Sequence, residues 1–270
     1  MRLNAIQVNV DSSESPDARI ERVVSQVEQL APNCDFITLP ELWETGAFDL
    51  QLGLERAKTL DDLCADGWLG ALSRIATDNG VWIHAGSFME RGVGDDEGKT
   101  FNTSVVIDNS GEVAATYRKI HLFGFDGGEV TLLDPGSELV VVDTPLGRTG
   151  LATCYDIRFP ELFRKLLDLG AEAMIVPTGW PLSRINTWTT LAQARAIENQ
   201  LWLIGTNEVG SQDNNDGRII ELGGATMVVS PAGKVVAFSD ENEAVISIEI
   251  DPSETVQIRE RFPILRDRVL

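Results

Sequence analysis

The sequence predicts an α/β chain in which two β-sheets pack face to face and each carries helices on its outer side. Several strand segments are apolar at successive positions instead of alternating, as in Val105-Val106-Ile107, Met174-Ile175-Val176 and Leu201-Trp202-Leu203-Ile204. Strands buried on both faces look like this. Helix-periodic segments flank two β-rich halves, and each sheet must cover its apolar outer face. A doubly wound single sheet is the alternative arrangement of the same elements. At 270 residues the chain can bury one large core. It reads as a single domain, 1–270, with no interdomain linker, low-complexity run or short-period repeat.

Leu3 to Val10 is expected as a strand. Pro16 to Leu30 follows as an amphipathic helix with Ile20, Val23, Val24, Val27 and Leu30 on one face. Asp35 to Leu39 is a short buried strand ended by Pro40-Glu41. Leu60 to Asn79 gives a second helix through Leu63, Leu69, Leu72, Ile75 and Ala76, stopped by Gly80. Strands are expected at Val81 to Met89, Phe101 to Asp108 and Glu112 to Tyr117, joined by a polar glycine-rich loop (Glu90 to Thr100) and an Asn109-Ser110-Gly111 turn. A long loop runs from Arg118 to Ser137, then a strand from Leu139 to Val142. After Pro177 come a helix (Asn186 to Asn199), a strand (Leu201 to Glu208) and a loop (Ser211 to Gly217). Ala225 to Val229, Lys234 to Phe238 and Ala244 to Ile250 close the β structure before a short helix and a tail, Phe262 to Leu270.

The stretch from Arg148 to Pro177 organises the rest. An apolar run, Thr149 to Thr153, reads as a strand ending abruptly at Cys154. Pro160 suits the first position of a helix and Glu161 its first turn. Leu162, Phe163, Leu166 and Leu169 recur at helical spacing, Gly170 stops the helix, and Ala173 to Val176 is the next strand. Cys154 therefore stands where a strand end meets a helix start, a position that exposes a thiol and favours its anion. The alternative is a buried cysteine packing as a small hydrophobe.

Composition narrows the function classes. Net charge is −20, which repels phosphate backbones and anionic lipid, so neither nucleic acid nor membrane is an expected partner. No run approaches the roughly 20 apolar residues of a membrane span, and the opening segment reads as a strand, not a signal peptide. Three scattered cysteines argue against a disulfide framework and for a reducing, cytoplasmic setting. Gly98-Lys99-Thr100 lacks the earlier glycine of a phosphate loop, since position 93 is Val93. Cys34 and Cys64 show no paired metal-ligand spacing, and no metal or organic cofactor is expected.

Three polar residues follow buried strands: Glu41, Lys119 and Cys154. A carboxylate, an ammonium and a thiol are what thiol-dependent acyl transfer needs. An ordinary thiol, with a pKa of about 8.5, requires a base or a positive field. The chain has two histidines, His84 and His121; His84 lies mid-strand, and a Cys/His pairing through His121 stays open beside the carboxylate reading.

LPELWETG, YRKIHLFG and CYDIRFPEL resemble, in order and spacing, the three catalytic blocks of the nitrilase superfamily of carbon–nitrogen hydrolases. ARAIENQLWLIGTN and GGATMVVSPAGKVV are similar to later blocks, so the resemblance spans nearly the whole chain. It implies a four-layer α-β-β-α sandwich and maps Glu41, Lys119 and Cys154 onto the catalytic set. Glu129 is the match to a second glutamate in the loop after the lysine. The expected reaction begins with attack of Cys154 on an amide carbon, Glu41 taking the thiol proton and Lys119 holding the oxyanion. A thioester and its hydrolysis follow, with Glu129 orienting Lys119 or the substrate.

The CYDIRFPEL form resembles the branch of ω-amidases and deaminated-glutathione amidases. It implies a small carboxylate-bearing amide and water as reactants. A nitrilase acting through a thioimidate, an acyltransferase and an inactive scaffold are the alternatives. Tyr155 and Trp180 are expected to line the pocket, with Arg184 as the local cation for the carboxylate. Arg158 and Arg195 are expected in structural ion pairs. The tail, about 262–270, alternates apolar and cationic residues and is expected to reach a partner subunit in a homodimer or higher homo-oligomer.

Overall fold

The computed structural model describes residues 1–124, 127–214 and 217–269. Its first half runs β1 (Arg2–Asp11), α1 (Pro16–Leu30), β2 (Phe36–Thr38), α2 (Leu50–Glu55), α3 (Leu60–Asp66), α4 (Trp68–Asn79), β3 (Trp82–Arg91), β4 (Thr100–Ile107) and β5 (Val113–Arg118). The Ser15 side chain accepts from Ala18 N–H at the start of α1, with Pro16 at the first helical position. Gly80, in the left-handed region at φ 66°, closes α4. The single helix expected over 60–79 is two, because Gly67 is extended and both ends α3 and opens α4. The expected apolar face survives the break, with Leu63, Leu69, Leu72, Ile75 and Ala76 all buried.

The second half contains α5 (Glu129–Leu132), β6 (Val141–Thr144), β7 (Gly147–Leu151), α6 (Pro160–Asp168), β8 (Ala173–Pro177), α7 (Ile185–Asn199), β9 (Trp202–Thr206), β10 (Glu208–Asp213) and β11 (Ile219–Gly223). It ends with β12 (Met227–Val229), β13 (Val235–Phe238), β14 (Ala244–Glu249) and α8 (Glu254–Arg261). Three expectations change here. The strand expected over 201–208 is cut at Asn207, where the chain crosses from one sheet to the other. The loop expected over 211–217 instead carries the end of β10, which pairs with β11 as a hairpin; positions 215 and 216 lie outside the described residues, as do 125 and 126 of the loop after β5. Leu169 leaves the expected apolar face of α6 and is largely exposed, Leu167 taking the buried place.

One sheet has the order β11-β10-β1-β2-β3-β4-β5; β14 pairs the first half of β1 while β10 pairs its last four residues. The other runs β13-β12-β9-β8-β7-β6. Three apolar layers define the stack. Ile6, Val8, Val105 and Ile107 face α1 and α4. Leu3, Phe36, Val106, Ile175 and Ile204 meet between the sheets. Met174, Val176 and Leu203 face α6 and α7. Neighbouring residues of one strand thus join different layers, which is why these strands do not alternate in hydropathy. The four-layer α-β-β-α expectation holds, and the single-sheet alternative is excluded.

Candidate active site

The site lies at the C-terminal ends of β2, β5, β7 and β8, where both sheets contribute. Glu41 sits three residues beyond β2 in a tight turn. Leu42 has φ 44° and its N–H donates to Ser87 Oγ at 3.0 Å, while Trp43 Nε1 donates to Ala85 O at 2.9 Å. That turn needs Gly86, because a Cβ there would stand 2.0 Å from Pro40 O. Lys119 directly follows β5, its N–H bonded to Asn102 O at 2.9 Å.

Cys154 comes three residues after β7 and has φ 45°, an uncommon backbone state for a non-glycine residue. A short 3₁₀ turn, Cys154–Arg158, then leads into α6. Asp156 holds the turn: Oδ2 accepts from Thr153 N–H at 2.9 Å and from Tyr117 Oη at 2.7 Å. Its Oδ1 lies 2.7 Å from His121 Nδ1 and accepts the His121 N–H at 2.9 Å. His121 is therefore committed to Asp156, and its ring stacks on Phe159 at 3.8 Å. His84 is fully buried, which lowers its pKa to about 3 and keeps it neutral.

The structure brings Glu41, Lys119 and Glu129 into one buried cluster. Lys119 Nζ lies 2.7 Å from Glu41 Oε1 and 2.7 Å from Glu129 Oε2. Asn102 Nδ2 donates to both carboxylates, at 2.9 and 3.0 Å. Gly179 N–H donates to Glu41 Oε2 at 3.0 Å, and Phe123 N–H to Glu129 Oε2 at 2.7 Å. Burial works against the Lys119 charge, but Glu129 and Glu41 outweigh it and hold the ammonium well above the usual lysine range.

Cys154 departs from expectation in one respect. Burial, followed by the nearby Glu41 carboxylate, pushes its thiol well above the ordinary value, and Lys119 only partly offsets them. The resting sulfur is a thiol, not the anion that its position at a helix start suggested. Attack by this thiol requires a base to take its proton as the new bond forms.

A cavity of about 340 Å³ opens above the cluster, lined by all four of these residues and by Tyr155 and Trp180. Trp180 is buried, its Nε1 donating to Arg184 O at 2.8 Å. Tyr155 packs edge-on against Phe123 and Phe159, both at 5.4 Å between ring centres. Arg184 also lines the cavity, its guanidinium 5.2 Å from the Phe123 ring centre. Arg195 follows expectation, bonded to Ile157 O at 3.0 Å and Glu198 at 2.7 Å.

Arg158 does not follow it. It makes no ion pair among the described residues and lies in the cavity, 5.0 Å from the Trp180 ring centre and 5.7 Å from that of Tyr155. Sequence reasoning also missed Asn102, which sits mid-strand with no motif to mark it, and Glu208. The Glu208 carboxyl is fully buried and accepts from Ala47 N–H at 3.3 Å. Burial and then Glu41 raise its pKa well above the usual carboxylate range.

A strand-end thiol facing a buried carboxylate–ammonium–carboxylate cluster is apparatus for nucleophilic attack on a carbonyl or nitrile carbon. The carbon-nitrogen hydrolase family model matches residues 3–260. The chain belongs to the carbon–nitrogen hydrolase family. This hydrolase is 39% identical over 268 residues to the 2-oxoglutaramate amidase of Paenarthrobacter nicotinovorans, a match covering 98% of the chain and 88% of the relative. It is 33% identical over 265 residues to the 2-oxoglutaramate amidase of Bacillus subtilis, covering 98% and 96%. Among solved structures, the Saccharomyces cerevisiae member of branch 10 of the nitrilase superfamily superposes with a TM-score of 0.85 at 26% identity, covering 100% of the hydrolase and 97% of that chain. The resemblance of the three sequence blocks is thereby borne out as family membership.

Proposed function

We propose that the hydrolase is an amidase of small, carboxylate-bearing amides, ω-amidase-like, with Cys154 as nucleophile. The observation that carries the substrate class is the pair of guanidiniums at the cavity. Arg158 and Arg184 both line it, and neither has a carboxylate partner among the described residues. In a chain of net charge −20, two such groups beside the site are a local device for an anion. The names of the two amidase relatives point the same way. Arg158, on the same turn as Cys154, is the better placed of the two.

In this reading Cys154 Sγ bonds to the amide carbon while its proton passes to Glu41 and the carbonyl π pair moves onto oxygen. Lys119 Nζ and a backbone N–H of the Cys154 turn hold that oxyanion. Collapse breaks the C–N bond, Glu41 returns the proton, and ammonia leaves a thioester. Water gives a proton to Glu41 as its oxygen bonds to the thioester carbon; collapse then breaks the C–S bond, and Glu41 gives that proton to the departing sulfur, releasing the acid and restoring the Cys154 thiol. Glu129 takes no proton; it keeps Lys119 charged and in place. Every proton and charge is carried by side chains and water, so the reading calls for no metal or organic cofactor.

The test is ammonia release from ω-amides of dicarboxylic acids against neutral aliphatic amides and small nitriles, with Arg158→Ala and Arg184→Ala. Both variants are expected to raise KM for the anionic amides at least tenfold, the scale of a lost charge-assisted hydrogen bond, and KM for neutral amides little. Equal changes for both substrate classes would remove the guanidiniums from recognition, and preference for nitriles would overturn the amidase reading.

No helix among the described residues is long and apolar enough to cross a membrane. We further infer one domain over 1–270, a cytoplasmic setting in which Cys34, Cys64 and Cys154 stay free, and a homo-oligomer at least dimeric. Part of the tail binds its own chain, Arg268 pairing with Asp168 at 2.7 Å, while Phe262 and Val269 remain exposed; Leu270 lies outside the described residues. A monomeric mass by light scattering at micromolar concentration would refute the oligomer.

A further inference from the structure

We propose that Thr178 is a thiolate-stabilising donor: its hydroxyl is held unpaired beside Cys154 until the sulfur takes up charge, and then hydrogen-bonds to it. The inference rests on Cys154 being the nucleophile, and it adds a residue that none of the three sequence blocks contains.

Strand register places the two residues together. β7 and β8 are parallel neighbours with Leu151 opposite Ile175. Ala152 N–H continues the pairing to Ile175 O at 3.3 Å. Three residues beyond that matched pair, one chain reaches Cys154 and the other Thr178, so both stand at the same height at adjacent strand ends. Thr178 is fixed there by its own N–H, which donates to Thr206 O at 2.9 Å. The next residue, Gly179, donates to Glu41, so the segment that carries Thr178 is already part of the site.

The Thr178 side chain is fully buried, yet its Oγ1 has no hydrogen-bond partner among the described residues. A buried hydroxyl without a partner carries a free-energy cost, and native structures seldom retain one without a use. The neighbour it does meet is the Cys154 sulfur, and that contact lowers the thiol pKa against the effects of burial and Glu41. A neutral thiol is a poor acceptor, so no well-formed bond exists in the resting state. A thiolate is a strong one. The hydroxyl thus gains a partner only as the S–H proton leaves for Glu41, and an interaction stronger in the transition state than in the ground state raises kcat and not affinity.

Other charged and titratable groups act on the same sulfur. Glu41 and Lys119 face it directly, with Glu129 behind Lys119, Glu208 behind Gly179, and Tyr155 and Arg158 on its own turn. Lys119 and Thr178 favour the anion and Glu41 opposes it. Lys119 is shared with two carboxylates and must also meet the oxyanion, whereas Thr178 has no other duty.

The experiment compares Thr178→Val, which keeps the shape and removes the hydroxyl, with Thr178→Ser, which keeps the hydroxyl. Alkylation of Cys154 by iodoacetamide is followed by mass spectrometry as a function of pH, alongside kcat and KM for amide hydrolysis. Thr178→Val is expected to move the alkylation profile about one unit to higher pH and lower kcat about tenfold with KM unchanged. Thr178→Ser is expected to stay near the parent. Should the valine variant not fold, Thr178→Ala against Thr178→Ser isolates the hydroxyl in the same way. An unshifted profile in a folded variant lacking the hydroxyl, or a serine variant as impaired as the valine one, would overturn the proposal. The alkylation profile reads Cys154 whether or not the amide panel identifies a substrate, so failure of the amidase reading stays separate.

Discussion

Lys119→Met is the most informative single perturbation, because it removes the one cation from between two carboxylates and leaves them buried. Glu41 and Glu129 are 2% and 4% exposed, and each stands 2.7 Å from the ammonium. Removing one partner of a buried ion pair costs about 3–5 kcal/mol. At about 2–4 °C per kcal/mol for a chain of this size, Tm should fall roughly 6–20 °C. Four neutral hydrogen bonds to the carboxylates remain, two from Asn102 and one each from Gly179 and Phe123 N–H, which favours the lower half of that range. In the proposed mechanism the same change removes the oxyanion donor, so kcat should fall by about 10²–10³-fold. The double variant Lys119→Met/Glu129→Gln separates the two effects. It leaves one buried carboxylate amid amide donors, so Tm should recover most of the loss while kcat stays low. Thermal unfolding and ammonia release read the two quantities independently. A Lys119→Met enzyme within about tenfold of the parent kcat, or a double variant that regains activity together with stability, would refute the assignment of Lys119 to the oxyanion.

Cys154→Ala and Cys154→Ser are expected to abolish ammonia release with Tm close to the parent, whereas Cys34→Ser and Cys64→Ser retain activity; turnover by a folded Cys154→Ala enzyme would rule out the thioester route. Because burial and the Glu41 carboxylate raise the resting thiol pKa, the thiol stays protonated across the neutral range and the pH profile of the reaction should show it. Activity should not climb between about pH 7 and about pH 9, as it would for an ordinary thiol deprotonating freely. A log-linear rise in kcat/KM over that interval would contradict the raised thiol. His121→Asn should keep kcat within a few-fold, since the ring is bonded to Asp156, while Glu41→Gln should be as impaired as Lys119→Met. The reverse pattern would restore the Cys/His alternative.

What could be read from the residues was set by the scale on which each feature is encoded. Apolar runs and turn residues located nearly every strand, since burial on two faces and a glycine or proline stop are local properties. Glu41, Lys119 and Cys154 were legible for the same reason, each being a polar residue at the end of a buried run. Arg158 was misread because its place at the cavity is set by the Cys154–Arg158 turn as a whole, which periodicity does not report. Asn102 and Thr178 were invisible individually. A mid-strand asparagine acquires its role only when β4 sets it opposite two carboxylates, and a threonine only when the β7–β8 register sets it beside a sulfur. The break at Gly67 and the crossing at Asn207 were missed because apolar residues continue at the expected spacing through one and abut a strand-like run at the other.

The site is assembled across the sheet–sheet interface, and that explains why its supports lie outside the motifs. Glu41, Lys119 and Asn102 hang from the sheet containing β2, β4 and β5, and Cys154, Thr178 and Trp180 from the one containing β7 and β8. The strand ladders run within each sheet, and the apolar layer between the sheets is nondirectional. Directional contacts add to it, and they cluster at the strand ends below the cavity. Thr38 and Thr206 share a buried hydroxyl–hydroxyl bond of 2.7 Å from β2 to β9. Tyr117 and Asp156 bridge β5 to the Cys154 turn at 2.7 Å. Gly179 N–H reaches Glu41, and a Cβ at Gly179 would stand 2.1 Å from Ala47 Cβ, so the close approach depends on glycine. Asn207, at the crossing itself, accepts from Trp180 N–H at 2.7 Å and from Glu208 N–H at 2.9 Å. In the proposed mechanism a thiol on one sheet meets its base on the other within hydrogen-bond reach. The polar residues that pin the sheets are therefore as much a condition of the chemistry as the residues that perform it.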